Sequence, residues 1–214
     1  MTESGRHIPE ETFLRVLDET TGLIDALGVP YAFIGSVASA ALGRPEWWPD
    51  GEDIDVFVRP DDARTVLNAL GEAGYATEEA EPDWLYKALK QDVLVDVIFK
   101  SIGDIHLDEE MTDRIRVERF KDRKLLVPAP EDLVVMKAVA NRAETPGYWH
   151  EALHVLARQE IDWRYLMLRA RRHGADRVLS LLLYARSMET DVPGDVIREL
   201  FEMTEAATDG GARA

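Results

Sequence analysis

A chain of 214 residues with 46% hydrophobic and 31% charged side chains has the composition of an ordinary globular protein, long enough for one large domain or a core with a smaller companion. Its formal net charge of −16 repels phosphate backbones, which disfavours nucleic acid as a principal substrate. No cysteine is present, which excludes disulfides and thiolate-held zinc and fits a reducing compartment; no apolar run reaches the roughly 18 residues of a membrane span, and "MTESGRHIPEET" is too polar for a secretory signal, so a cytoplasmic protein is expected.

In chain order, "PEETFLRVLDETTGLIDALG" (9–28) carries Phe13, Val16, Leu17, Thr20, Leu23, Ile24 and Leu27 at three- and four-residue spacings, predicting an amphipathic helix ended by Gly28. Pro30 stops it, "YAFIG" (31–35) reads as a short buried strand, and the small apolar "SVASAAL" (36–42) suits a helix packed closely under the Gly35-Ser36 turn. "DIDVFV" (53–58) is the next strand, and "PDDARTVLNALGEAGY" (60–75) opens on proline and closes near glycine as helices do. Within "DWLYKALKQDVLVDVIF" (83–99), Val93, Val95 and Val97 alternate with Leu94, Asp96 and Ile98, which is strand chemistry. "KLLVPAP" (124–130) predicts a short strand and a turn, and residues 130–144, 148–159, 162–174 and 175–188 read as four successive helices. The basic clusters "RIRVERFKDRK" (114–124) and "RYLMLRARRH" (164–173) are interleaved with acids or lie on helices, as solvated faces do. The small, Gly-rich tail after about Glu205 is expected to fray.

Residues i and i+2 of a strand share a face, so Asp53 and Asp55 point together. Two carboxylates that close repel one another unless a cation lies between them, and a hard divalent ion such as Mg²⁺ prefers such oxygen donors. Asp96 is a lone carboxylate between apolar residues on another strand. If the two strands are neighbours, three carboxylates converge and suit a two-ion phosphoryl or nucleotidyl transfer. The Gly35-Ser36 turn, at a helix start, offers free N–H groups and a hydroxyl to an anionic phosphate tail, and Gly35 allows close backbone approach.

"FIGSVASAAL", "DIDVFV" and "LVDVIF" together resemble the nucleotidyltransferase superfamily that includes DNA polymerase β. Residues 9–193 are similar to small prokaryotic nucleotidyltransferases related to the abortive-infection and minimal nucleotidyltransferase groups. The resemblance implies an α+β fold, with a small mixed nucleotidyltransferase sheet flanked by helices over 1–127 and a helical C-terminal domain over 128–214. It implies that Asp53, Asp55 and Asp96 ligate Mg²⁺, two ions in all, and that Asp96 helps to deprotonate an acceptor hydroxyl. Gly35, Ser36 and Lys137 would contact the triphosphate of an NTP such as ATP, with Arg44 as a further phosphate contact. The segment "EWWPDG" (46–51) lengthens the interval between the turn and the acidic pair, and its Trp47 and Trp48 suit stacking on a base or acceptor or covering of the fold's own core.

The expected activity is transfer of NMP from an NTP to a hydroxyl of a small molecule or protein. An inactive regulatory or toxin–antitoxin binding protein is the alternative, with a second copy or a toxin as its partner. "HEALH" (150–154) also matches the helical zinc-hydrolase string, which would make His150 and His154 zinc ligands and Glu151 the general base, but that leaves the three aspartates without a purpose.

Overall fold

In the computed structural model, which describes residues 8–44, 53–143, 145 and 147–211 (the side chains of 207–211 excepted), α1 (Glu10–Leu27) buries Phe13, Val16, Leu17, Thr20 and Ile24. It ends at Gly28, whose φ of 68° is the left-handed conformation that glycine adopts without steric cost. Strand β1 (Tyr31–Phe33) leads directly into α2 (Gly35–Gly43), a helix of small residues. That smallness is used at Gly43, where a Cβ would come within 3.0–3.1 Å of His154 and Val155. Strand β2 (Asp53–Val58), helix α3 (Pro60–Glu72) and strands β3 (Ala76–Glu81), β4 (Leu85–Lys90) and β5 (Val93–Ile98) complete the first half of the chain.

The five strands form one mixed sheet in the order β1-β2-β5-β4-β3. β2 and β5 run parallel, and every other neighbouring pair runs antiparallel. One face is apolar, with Ile54, Val56, Val58, Val93, Val95 and Val97 wholly buried and α1 and α3 packed over the sheet. The alternate positions of β2 and β5 bring Asp53, Asp55 and Asp96 to the opposite face, as the period of two requires.

After a short helix α4 (Glu109–Thr112) comes the hairpin β6 (Arg116–Phe120) and β7 (Arg123–Val127), a separate two-stranded sheet. Helices α5 (Pro130–Ala140), α6 (Gly147–Arg158), α7 (Trp163–His173), α8 (Ala175–Ser187) and α9 (Gly194–Gly211) follow. α5 is the axis of this half, buried at every position from Pro130 to Val139. Its Asp132 meets Arg169 of α7 (Oδ1 to Nε, 2.8 Å) and accepts from the Tyr165 hydroxyl at 2.8 Å; Arg169 also reaches Asp108, the cap of α4, at 2.5 Å. Arg169 is 1% exposed, so its charge depends on these carboxylates. The buried apolar residues form one cluster from Ile8 to Leu200, continuous across the expected boundary at 127/128.

The α+β class holds, with three corrections in detail. β3, spelled "ATEEAE", and β6, spelled "RVERF", carry too little apolar patterning to read as strands; both are drawn in by pairing with β4 and β7. The basic segment 114–124 therefore belongs largely to a hairpin. The region past Glu205 continues α9 and is helical to Gly211. Among the described residues no helix is long and apolar enough to cross a membrane.

Candidate active site

The parallel pairing of β2 and β5 sets Asp55 directly beside Asp96 in register. Asp53, one pleat before Asp55, completes a group in which one carboxylate oxygen from each residue lies within 4.8 Å of the others. This is the only group of three or more metal-capable side chains among the described residues. Burial pushes the Asp55 carboxyl up to about 7, and repulsion from Asp53 and Asp96 adds to it, with Lys137 pulling the other way. Asp96 is also raised, mainly by burial, against hydrogen bonding from Lys87. The donor set, three hard oxygen ligands that repel one another, fits a hard divalent cation such as Mg²⁺.

The Gly35-Ser36 turn closes one side of this group. Ile34 N donates to the Asp55 carbonyl at 2.9 Å, tying the start of α2 to β2. Gly35 has φ 61°, and a Cβ built on it would overlap Asp55 Oδ2. Glycine is thus needed both for its backbone conformation and for its lack of a side chain. No side chain caps α2, which leaves its first-turn N–H groups for a ligand, and the Ser36 hydroxyl oxygen is buried with no hydrogen-bond partner.

Lys137 approaches from α5. Its side chain is 7% exposed, its ammonium lies 2.7 Å from Glu151 of α6, and it stands 4.6 Å from the ring centre of Tyr148. A cavity of about 410 Å³ opens between these elements. Gly35, Asp55 and Lys137 line one part of it; Trp84, Ile98, Lys100, Ile102 and Tyr148 are among its other walls.

Gly35, Ser36, Asp53, Asp55, Asp96 and Lys137 are therefore brought together, and Arg44 is not. It follows α2 at the far end, roughly 13 Å along the helix from Gly35, and lines a separate cavity of about 210 Å³ with Ser39, His150, Glu151 and His154. The zinc-hydrolase arrangement is not assembled, since Glu151 is ion-paired with Lys137 and no third metal-capable residue joins His150 and His154 among the described residues. Trp47 and Trp48 lie outside the described residues. Lys87 and Tyr148 were not legible as site residues, the one available signal being a lysine inside the apolar alternation of "LYKALK"; Glu151 was singled out as an acid of its helix, but not its ion pair with Lys137.

A mixed sheet with three converging carboxylates stands beside a Gly-Ser helix start, in a chain whose family is that of nucleotidyltransferases. The chain belongs to the uncharacterised nucleotidyltransferase family, whose profile it matches over residues 14–188. No curated protein sequence matches it. Among solved structures it is similar to a lincosamide antibiotic adenylyltransferase, LnuA, with lincomycin bound (15% identity, 72% of this chain and 100% of that one, TM-score 0.52). It is also similar to the antibiotic-resistance factor ANT(2'')-Ia (17% identity, 85% and 95%, TM-score 0.53) and to an antigenic nucleotidyltransferase-like protein from Paracoccidioides brasiliensis (11%, 89% and 94%, TM-score 0.52). At these identities the likeness is one of fold.

Proposed function

We propose that this protein transfers a nucleoside monophosphate from an NTP to a hydroxyl group of a small-molecule or protein acceptor, with Mg²⁺ as cofactor and release of pyrophosphate. The observation that carries this reading is the convergence of Asp53, Asp55 and Asp96 beside the uncapped start of α2, where Ser36 holds a buried, unpartnered hydroxyl. Mg²⁺ held by the three carboxylates, two ions once nucleotide is present, would neutralise charge on the transferring phosphate.

The remaining chemistry belongs to the chain. The first-turn N–H groups at Gly35 and the Ser36 hydroxyl hold phosphate oxygens, and Lys137, which lines the same cavity as Gly35 and Asp55, adds a positive charge to that tail. Asp96 accepts the proton of the acceptor hydroxyl as it attacks the α-phosphate. The cavity lined by Gly35, Lys137, Tyr148 and Trp84 takes the nucleoside, whose base has apolar and aromatic walls to rest against. Positioning and charge compensation supply most of the rate. Arg44 is given no part in the reaction.

Titration calorimetry with each NTP in the presence of Mg²⁺, followed by a labelled-NTP screen over acceptor classes, tests the proposal. Wild type should bind at least one NTP and label an acceptor, and Asp53→Ala should do neither at a measurable rate. A wild-type chain that binds no NTP sinks the enzyme reading and leaves the regulatory one.

A further inference from the structure

Lys87 stands opposite Asp96 in the β4–β5 register, as Asp55 stands opposite Asp96 in the β2–β5 register. The three side chains thus form one row across three strands. The Lys87 ammonium is 3.1 Å from Asp96 Oδ1 and 3.3 Å from Oδ2, so a single cation engages both oxygens. The Lys87 side chain is 34% exposed and that of Asp96 only 12%, so the lysine reaches inward from the open side of the sheet to a carboxylate that is nearly covered. An exposed cross-strand ion pair usually contributes little to stability. This one differs in its setting, because its carboxylate is one of three that must also meet a divalent ion.

When all three aspartates are ionised, as holding a metal ion requires, they carry three negative charges, and Lys87 leaves two. One divalent ion balances these, and a second would bring two more positive charges against the ammonium.

We propose that Lys87 is a positioning residue that holds Asp96 in place and stands in for the second cation of the carboxylate group. Without nucleotide the carboxylate group would accept a single divalent ion, with Asp53 and Asp55, the two aspartates not engaged by Lys87, as the residues to hold it. A second ion would enter only when the negative charge of a triphosphate offsets its own, and that cation, not the triphosphate, would then compete with the Lys87 ammonium for the Asp96 carboxylate. The inference rests on the carboxylate group being a divalent-ion site, as the proposed function holds.

The test is a Mn²⁺ titration of the full chain without nucleotide, counting bound ions by electron paramagnetic resonance, for wild type, Lys87→Met and Lys87→Arg. Wild type and Lys87→Arg should bind one ion. Lys87→Met should acquire a second site, or bind the first about tenfold more tightly. Asp96→Asn placed on Lys87→Met should abolish the gain, which separates an effect at Asp96 from a general change in surface charge. Circular-dichroism melting establishes that each variant is folded; if Lys87→Met does not fold, Lys87→Gln takes its place. Equal stoichiometry and affinity in wild type and the neutral variant overturn the role given to Lys87. Failure of wild type to bind any Mn²⁺ overturns the metal reading of the whole site, a different result from the first.

Discussion

Gly35 and Asp55 are in direct contact: the α-carbon of the first lies against the carboxylate of the second, leaving no room for a methyl group. The left-handed backbone at Gly35 costs an alanine about 1 kcal/mol before any overlap is counted. Gly35→Ala should lower nucleotidyl transfer about a hundredfold or more and reduce the melting temperature by several degrees, since relief requires moving either Asp55 or the start of α2. Labelled-NTP incorporation and thermal melting measure the two effects. An alanine variant with wild-type turnover would show that the contact has no bearing on the chemistry.

The raised pKa of Asp55 has a definite sign. Its folded value of about 7 lies above the ordinary 3.8, so the metal-free folded chain keeps a proton that the unfolded chain releases. Stability from this group is fully present below about pH 4 and is lost as pH rises through 7. Asp132, pushed up to about 6 chiefly by burial, acts in the same direction over a lower range. Metal-free protein should therefore melt at a lower temperature at pH 8 than at pH 6, and saturating Mg²⁺ should restore more at pH 8 than at pH 6. Asp55→Asn should flatten the upper part of the profile, from pH 6 to 8, and abolish the Mg²⁺ response. A pH-independent Mg²⁺ shift would contradict the assignment.

Lys137 is nearly covered and ion-paired with Glu151. Lys137→Met should raise KM for the NTP about tenfold while also destabilising the fold, because Glu151 loses its partner. Adding Glu151→Gln should restore much of the stability without restoring KM. Recovery of both together would mean that Lys137 acts on the fold alone.

Arg169, Asp132, Asp108 and Tyr165 join α5, α7 and the cap of α4. Arg169→Met should cost about 3–5 kcal/mol in urea unfolding, the penalty for leaving a buried carboxylate without its partner. The same network and the continuous core bear on the two domains expected from the sequence. A fragment of residues 128–214 should show little cooperative melting, since α5 would expose flanks now covered; a sharply melting fragment would support an independent helical domain.

Much of the site was readable because its signals are local. Asp53-Ile54-Asp55 lie within one strand, where the period of two assigns a common face, and Gly35-Ser36 mark a strand-to-helix turn. Asp96 stood out as a carboxylate inside an apolar alternation. The misread parts follow from longer-range effects. β3 and β6 are polar strands recruited by their partners, and Lys87 acquires its meaning only from lying opposite Asp96.

By itself the sequence determined the carboxylate faces, the Gly-Ser turn at the start of α2, and the change from mixed sheet to helices, all set by spacing over a few residues. Only the tertiary structure decided that β5 lies parallel to β2 in the register that sets Asp96 beside Asp55, that Lys87 closes the row, and that Lys137 answers to Glu151 while Arg44 lies elsewhere. Strand order and register are chosen by burial of a whole sheet face, a property of contacts between distant segments that no single segment carries.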